Sequence, residues 1–218
     1  MAQANDSILV TPGTGATVAT HAPGDGKEYQ VVMLADDTGQ VIGSNPVYRL
    51  IVPPIAVGAN KVMCDLFNAT GTGKTLHILA AFCYPNLDTA VTGTVGIQMA
   101  LTRTSSVGTG GTTATADGTS LTAATISKMD PASAALPAGV TARNAPTGGA
   151  TAGALLGIRM IFTEETNAGT AIAGAIGAEF VRNEGAEVVV PENTGVRFVQ
   201  GSVASVGTVS FEITFELI

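Results

Sequence analysis

Apolar and polar residues alternate with a period of two at the end of the chain. From Val209 to Leu217 every second residue is apolar, and Ser, Glu or Thr stands between them. This alternation predicts a β-strand with one buried face. Residues 95–102 alternate in the same way. Both segments are therefore predicted to be half-buried strands.

Further short segments rich in apolar and β-branched residues are bounded mostly by Gly, Pro, Asn or Asp, which is typical of strands between turns. These predicted strands are residues 29–34, 48–52, 62–67, 76–84, 155–162, 188–190 and 196–200. No internal repeat is detectable. Short strands with frequent turns favour an all-β fold, a jelly-roll-like β-sandwich forming one domain over residues 1–218.

Helical signal is sparse. Asp130 and Pro131 resemble an N-cap and first helical position, followed by an alanine-rich stretch that ends at Pro137. They predict one or two helical turns. Residues 168–178 are small and interrupted by glycine, and the sequence leaves open whether they form a strand, a loop or a close-packed segment.

Two stretches contain few large apolar residues. Residues 104–125 and 144–153 are rich in Gly, Thr, Ser and Ala, so they predict long exposed loops that cannot build a core of their own. Residues 1–25 predict an N-terminal arm. Such segments gain order by lying against neighbouring subunits.

The composition limits the possible partners. Hydrophobic residues make up 45% of the chain and charged residues 12%, which favours surfaces that other subunits cover. The net charge of −7 argues against direct binding to nucleic acid. No run of about 18 apolar residues and no signal peptide is present, so we expect a soluble protein made in the cytoplasm that does not bind membranes.

The two cysteines, Cys64 and Cys83, do not form the disulfide framework of a small secreted domain. A hairpin centred on Gly73 and Lys74 would place the thiols opposite each other and make a bridge conceivable. Synthesis in a reducing compartment argues against it.

The segment Thr70-Gly71-Thr72-Gly73-Lys74-Thr75 resembles the end of a phosphate-binding loop. The first glycine of that motif is replaced by Asn68, and the residues that follow predict a strand instead of the required helix. The segment is therefore interpreted as a β-turn between two strands.

Residues for catalysis or metal binding do not form a recognisable set, so we expect no enzyme, cofactor or metal site. The only histidines are His21 and His77, and with the two cysteines they match no zinc pattern. Carboxylate pairs occur at residues 36–37 and 164–165. Neighbouring strand residues point to opposite faces, so both pairs are interpreted as solvated turns, with calcium binding as a less favoured alternative.

Three segments of this chain, residues 5–20, 52–61 and 162–168, resemble small structural virion proteins of tailed bacteriophages. By size the resemblance implies a capsid decoration (cement) protein on the virion surface. Such a protein is a β-sandwich, commonly trimeric, that binds the major capsid protein. In that setting the two glycine- and threonine-rich loops would supply the subunit contacts, with these candidate residues: Thr112, Thr115, Leu121, Asn144, Pro146 and Thr151.

Two alternatives remain open. A phage tail or fibre component that touches host carbohydrate would require an exposed aromatic platform, and the low aromatic content of 5% disfavours it. A hydrolase would require folding to bring Glu164 or Glu165 next to Asp36 or Asp37.

Overall fold

The computed structural model describes residues 18–21, 29–32, 45–86, 96–149, 151–162, 177–182 and 188–218. Residues 1–44 and 45–218 separate into two units. In the first unit, strands β1 (Val18–His21) and β2 (Tyr29–Val32) pair antiparallel. The remainder of the predicted N-terminal arm lies outside the described residues, and the prediction of one domain over the whole chain stays a prediction.

Strands dominate the second unit because its apolar residues recur with a period of two and its turns are marked by glycine, proline or asparagine. In chain order the strands are β3 (Val47–Ala56), β4 (Val62–Asn68), β5 (Leu76–Asn86), β6 (Gly96–Thr104), β7 (Thr112–Thr113), β8 (Thr115–Ala116), β9 (Thr125–Lys128), β10 (Val140–Asn144), β11 (Ala152–Phe162), β12 (Ala178–Arg182), β13 (Val188–Val190), β14 (Thr194–Gln200) and β15 (Thr208–Leu217).

The strands of the second unit form two sheets. Sheet 1 has the order β12-β5-β15-β3-β9-β8, with β13 also pairing to β5, and sheet 2 has the order β11-β6-β14-β4-β10-β7. Among the strands that the structure describes, every pairing is antiparallel except that of β8 with β9. The two sheets pack as a β-sandwich, and no helix occurs among the described residues. The prediction of an all-β sandwich is confirmed.

The connections follow the jelly-roll plan. The four strands β12-β5-β15-β3 face the four strands β11-β6-β14-β4, and the chain passes from one sheet to the other between β3 and β4, β4 and β5, and β5 and β6. The last strand of the chain, β15, lies between β3 and β5 and pairs with both. Strands β7 to β10 are inserted between β6 and β11 and extend each sheet on the side of β3 and β4.

The core lies between the sheets, and β15 shows how the sequence places it. The apolar residues of this strand are buried in strict alternation with half-buried polar ones. Phe211 of β15 contacts Phe198 of β14 across the two sheets, with ring centroids 4.7 Å apart. Each fully buried side chain of this size contributes about 1.5–3 kcal/mol to folding.

The short helix predicted after Asp130 is wrong. The residues form a turn in which the side chain of Asp130 accepts the N–H of Ala132 (2.9 Å) and its carbonyl accepts the N–H of Ser133 (3.0 Å). The hydroxyl of Tyr48 donates to the carbonyl of Ala134 (2.7 Å). A segment this short cannot nucleate a helix without packing to support it.

The hairpin centred on Gly73 and Lys74, which would have placed the two cysteines opposite each other, does not form. Strand β4, with Cys64, belongs to sheet 2, and β5, with Cys83, belongs to sheet 1. Residues 69–75 are thus a connection between sheets. Both thiols are buried and free.

Candidate interaction surfaces

The two loops predicted to contact other subunits fold onto each other. Thr112 of β7 pairs with Asn144 of β10 in register. Farther along, the N–H of Thr109 donates to the carbonyl of Gly148 (2.7 Å), and the N–H of Thr147 donates back to the carbonyl of Thr109 (2.9 Å). Most of residues 105–123 are exposed, but Gly108 is buried and the segment contains the two short strands β7 and β8.

The far ends of these loops are joined as well. The hydroxyl of Ser106 donates to the carbonyl of Gly149 and accepts the N–H of Thr151 (2.8 Å). Pro146 is buried against Gly108, where an added Cβ would lie 2.7 Å from the proline ring. Of the candidate contact residues in this cluster, Thr112 and Thr151 are exposed, whereas Pro146 packs within the chain.

A buried carboxylate anchors this cluster to the outer face of sheet 2. Asp65 of β4 is fully buried and accepts the N–H of Gly108 (2.8 Å) and the N–H of Arg143 (2.9 Å). It lies opposite Arg143 on β10 and Arg197 on β14. Burial raises the pKa of Asp65, while the two N–H bonds and the two guanidinium groups oppose that rise. This arrangement holds residues 106–111 against the sheet.

The other two candidate contact residues lie beside sheet 1. Thr115 is exposed in β8, and Leu121 is 92% exposed in the loop between β8 and β9. That loop forms one wall of a groove of about 460 Å³ over the outer face of sheet 1. We call this feature the sheet-1 groove and define it by Ile51, Pro54, Tyr84, Leu121, Ser210 and Glu212.

The sheet-1 groove is largely apolar. Tyr84 stacks on Phe82 with centroids 5.9 Å apart and is 40% exposed. Burial, followed by the negative charge of Glu212, raises the pKa of Tyr84. Glu212 pairs with Arg49 at 3.0 Å, so the carboxylate in the groove is already neutralised by this chain.

A second apolar surface lies on β11, which is at one end of sheet 2 among the described strands. Ile158, Met160 and Phe162 are 44%, 46% and 45% exposed and lie on the outer face of the sheet, whereas Ile161 between them is buried. We call these three residues the β11 ridge. They stand opposite Ala100, Gln98 and Gly96 of β6. Because Ala100 and Gly96 are small, the side chains of Ile158 and Phe162 extend beyond those opposite them on β6.

Sequence reasoning predicted this strand and missed its surface. The available signal was that residues 155–162 are apolar at adjacent positions as well as alternate ones, so that both faces of the strand are apolar. Arg159 is the only charged residue of β11, and its guanidinium donates to the carbonyls of Ile158 (2.9 Å) and Glu179 (3.2 Å). It therefore ties β11 to β12.

Residues 70–75, which resemble the end of a phosphate-binding loop, donate hydrogen bonds to the carboxylate of Glu192. Glu192 accepts the backbone N–H of Gly73 and lies 3.1 Å from the hydroxyl of Thr72. The N–H groups of Gly73 and Gly71 lower the pKa of Glu192. Both glycines have positive φ, 63° and 89°, which turns successive N–H groups toward one point. The segment that follows is strand β5, as the sequence predicted.

Of the remaining candidates for chemistry, the two histidines lie in different units of the chain. His77 of β5 lies 3.9 Å from Glu216 on the neighbouring strand β15, and His21 ends strand β1. The carboxylate pairs at residues 36–37 and 164–165 lie outside the described residues, so the hydrolase alternative stays a prediction. Within the described ranges, no group of three or more His, Cys, Asp or Glu side chains could hold a metal ion.

Burial keeps both thiols protonated. It raises the pKa of Cys64, which the neighbouring Asp65 and Cys83 raise further, and it raises the pKa of Cys83 in the same way. A protonated, buried thiol is a poor nucleophile. Among the residues that the structure covers, no helix is both long and apolar enough to cross a membrane.

Comparison of the chain with protein-family models, curated proteins and solved structures finds no match.

Proposed function

We propose that this protein is a capsid decoration protein of a tailed bacteriophage, which sits on the capsid surface, assembles as a homotrimer and binds the major capsid protein. The β11 ridge is the observation that carries the proposal. Three large apolar side chains stand side by side, each nearly half exposed, on a strand with one charged residue. Clustered apolar side chains of this kind mark interfaces with other proteins.

The construction of the sandwich supports a role in binding. The loops between β6 and β11 are fixed by the buried Asp65 and by hydrogen bonds to one another, so the outer surface is preorganised. Preorganised surfaces lose little conformational entropy when they bind. The net charge of −7 would keep the protein from binding packaged DNA. Many weak contacts repeated over a shell would together stabilise it.

Purified virions of a phage that encodes the chain provide the test. We expect mass spectrometry to find the protein in the particles and cryo-electron microscopy to show it as a regular outer layer on the capsid. Particles that lack the gene should lose their DNA at a lower temperature, and added purified protein should restore the wild-type value. Absence of the protein from virions would overturn the proposal.

A second candidate is a tail or fibre component that binds host carbohydrate, and the aromatic pair Phe82 and Tyr84 favours it. Tyr84 is exposed in the sheet-1 groove, and a stacked aromatic face can bind the apolar face of a sugar ring. Density for the protein on the tail instead of the capsid would support this candidate. Binding to host cells that is lost in Tyr84→Ala would support it further.

A further inference from the structure

The connection between β4 and β5 directs backbone N–H groups at a single negatively charged oxygen. The N–H of Gly73 donates to Oε1 of Glu192, and the N–H of Gly71 is a further donor to the same carboxylate. Gly71 and Gly73 have positive φ, 89° and 63°, a conformation in which successive N–H groups converge on one point. Glu192 lies on a different connection, between β13 and β14, so the two connections meet through this carboxylate.

The side chain of Asn68 holds the converging N–H groups in place without help from Glu192. Asn68 is fully buried, and its amide nitrogen donates to the carbonyls of Lys74 (2.8 Å) and Val190 (3.2 Å). Its Oδ1 accepts the hydroxyl of Thr72 (2.7 Å). These bonds fix the segment on both sides of Gly73. The N–H groups should therefore keep their arrangement when the carboxylate is removed.

The charge and the accessibility of this place fit a small oxyanion. Lys74 and Glu192 are the only charged residues within 69–75 and 188–194. Without Glu192, converging N–H groups and one positive charge remain on the same segment. Such N–H groups bind phosphate and sulfate as well as carboxylates. Glu192 is only partly buried, so an ion from solution can reach the position of its carboxylate.

We infer that residues 71–74 form an oxyanion-binding site whose built-in ligand is Glu192, so that the chain binds a free phosphate ion only when Glu192 leaves the site. A ligand on the same chain competes at a high effective concentration, which keeps the site closed in the wild type. The resemblance of residues 70–75 to the end of a phosphate-binding loop thus lies in their N–H groups. This inference is independent of the proposed function.

Phosphate binding by the full chain with Glu192→Ala tests the inference. The amide resonances of Gly71 and Gly73 are followed during titration with inorganic phosphate, with chloride at equal ionic strength as the reference. They should shift saturably in the variant, and the wild type should bind phosphate at least about tenfold more weakly. Glu192→Gln keeps an uncharged acceptor in the site and should bind with intermediate affinity. This second variant also preserves the test if the alanine variant does not fold.

The matched control is Asp130→Ala. The carboxylate of Asp130 also accepts a backbone N–H, that of Ala132 at 2.9 Å, but no converging group of donors surrounds it. The control changes the net charge by the same amount and should bind phosphate no better than the wild type.

Three results would overturn the inference. The first is a folded Glu192 variant whose Gly71 and Gly73 resonances do not respond to phosphate. The second is a wild type that binds phosphate as tightly as Glu192→Ala. The third is an equal gain in affinity in Asp130→Ala, which would assign the effect to net charge.

Discussion

The carboxylate of Asp65 accepts the backbone N–H of Gly108 at 2.8 Å and so joins strand β4 to a loop that lies 43 positions farther along the chain. The fit is close, since a Cβ on Gly108 would lie 2.3 Å from the same carboxylate oxygen. The second oxygen accepts the N–H of Arg143. One buried acidic residue thus fixes part of the segment that the sequence predicted to be a long exposed loop.

Replacing Asp65 with alanine should lower the free energy of unfolding by about 3–5 kcal/mol, because the N–H groups of Gly108 and Arg143 lose their acceptor and the guanidinium groups of Arg143 and Arg197 lose a neighbouring negative charge. Urea unfolding measures this change. Amide exchange at Gly108 should also accelerate more than exchange in β15.

The matched control for that variant is Glu212→Ala, which also removes a carboxylate paired with an arginine. Its pair with Arg49 is partly solvated, so the loss should be at most about 1 kcal/mol. Equal losses for the two variants would contradict the anchoring role of Asp65.

The bonds of Glu192 to the 70–75 segment make stability depend on pH. The pKa of Glu192 is lowered in the folded chain, so its ionised form stabilises the fold above the ordinary glutamate value of 4.5. That contribution is lost as the pH falls through the lowered folded value. The stability difference between wild type and Glu192→Gln should therefore be largest near neutral pH and should shrink below pH 4.5. A difference that does not change between pH 7 and pH 3 would refute this account.

The buried thiols should be inert in the native protein. Cys64 and Cys83 are free and shielded from solvent, so a thiol reagent such as Ellman's reagent should not react until the chain is unfolded. In guanidinium chloride, without any reductant, both thiols should then titrate. Finding no thiols in the unfolded chain would show that a disulfide forms.

Gly195 lies where strands β4, β14 and β6 approach closely. An added Cβ would lie 2.5 Å from the carbonyl oxygen of Leu66 and 2.9 Å from Thr104. Gly195→Ala should lower the free energy of unfolding by about 1–3 kcal/mol, as measured by urea or thermal unfolding, because the surrounding backbone cannot yield.

Gly58→Ala is the control for this variant, since its Cβ would meet only the flexible side chain of Lys61 at 3.4 Å. We expect a change within about 0.5 kcal/mol. A loss as large as that of Gly195→Ala would indicate that added volume is not the cause.

Where apolar and polar residues alternate, the sequence determined both the strand and its buried face, because alternation is a local property. Val209 to Leu217 show this clearly, whereas the strand at residues 155–162 was predicted from its apolar content and the turn residues that bound it. Strands β9 and β10 were missed because they are short and lie beside glycine-rich segments, and they are strands only because β3 and β4 offer free edges. The helix predicted at Asp130 failed because the segment is too short to nucleate a helix without supporting contacts.

What only the tertiary structure decided is which side chains stay exposed. The pattern of residues 155–162 places Met160 in a strand but cannot show that this strand ends a sheet, and Leu121 has no local signal that sets it on the wall of a groove. The physical reason is that exposure depends on which strands are neighbours, and strand order is set by contacts between residues far apart in the chain. The sequence thus determined an all-β sandwich, and the arrangement of its strands created the surfaces on which the two candidate functions rest.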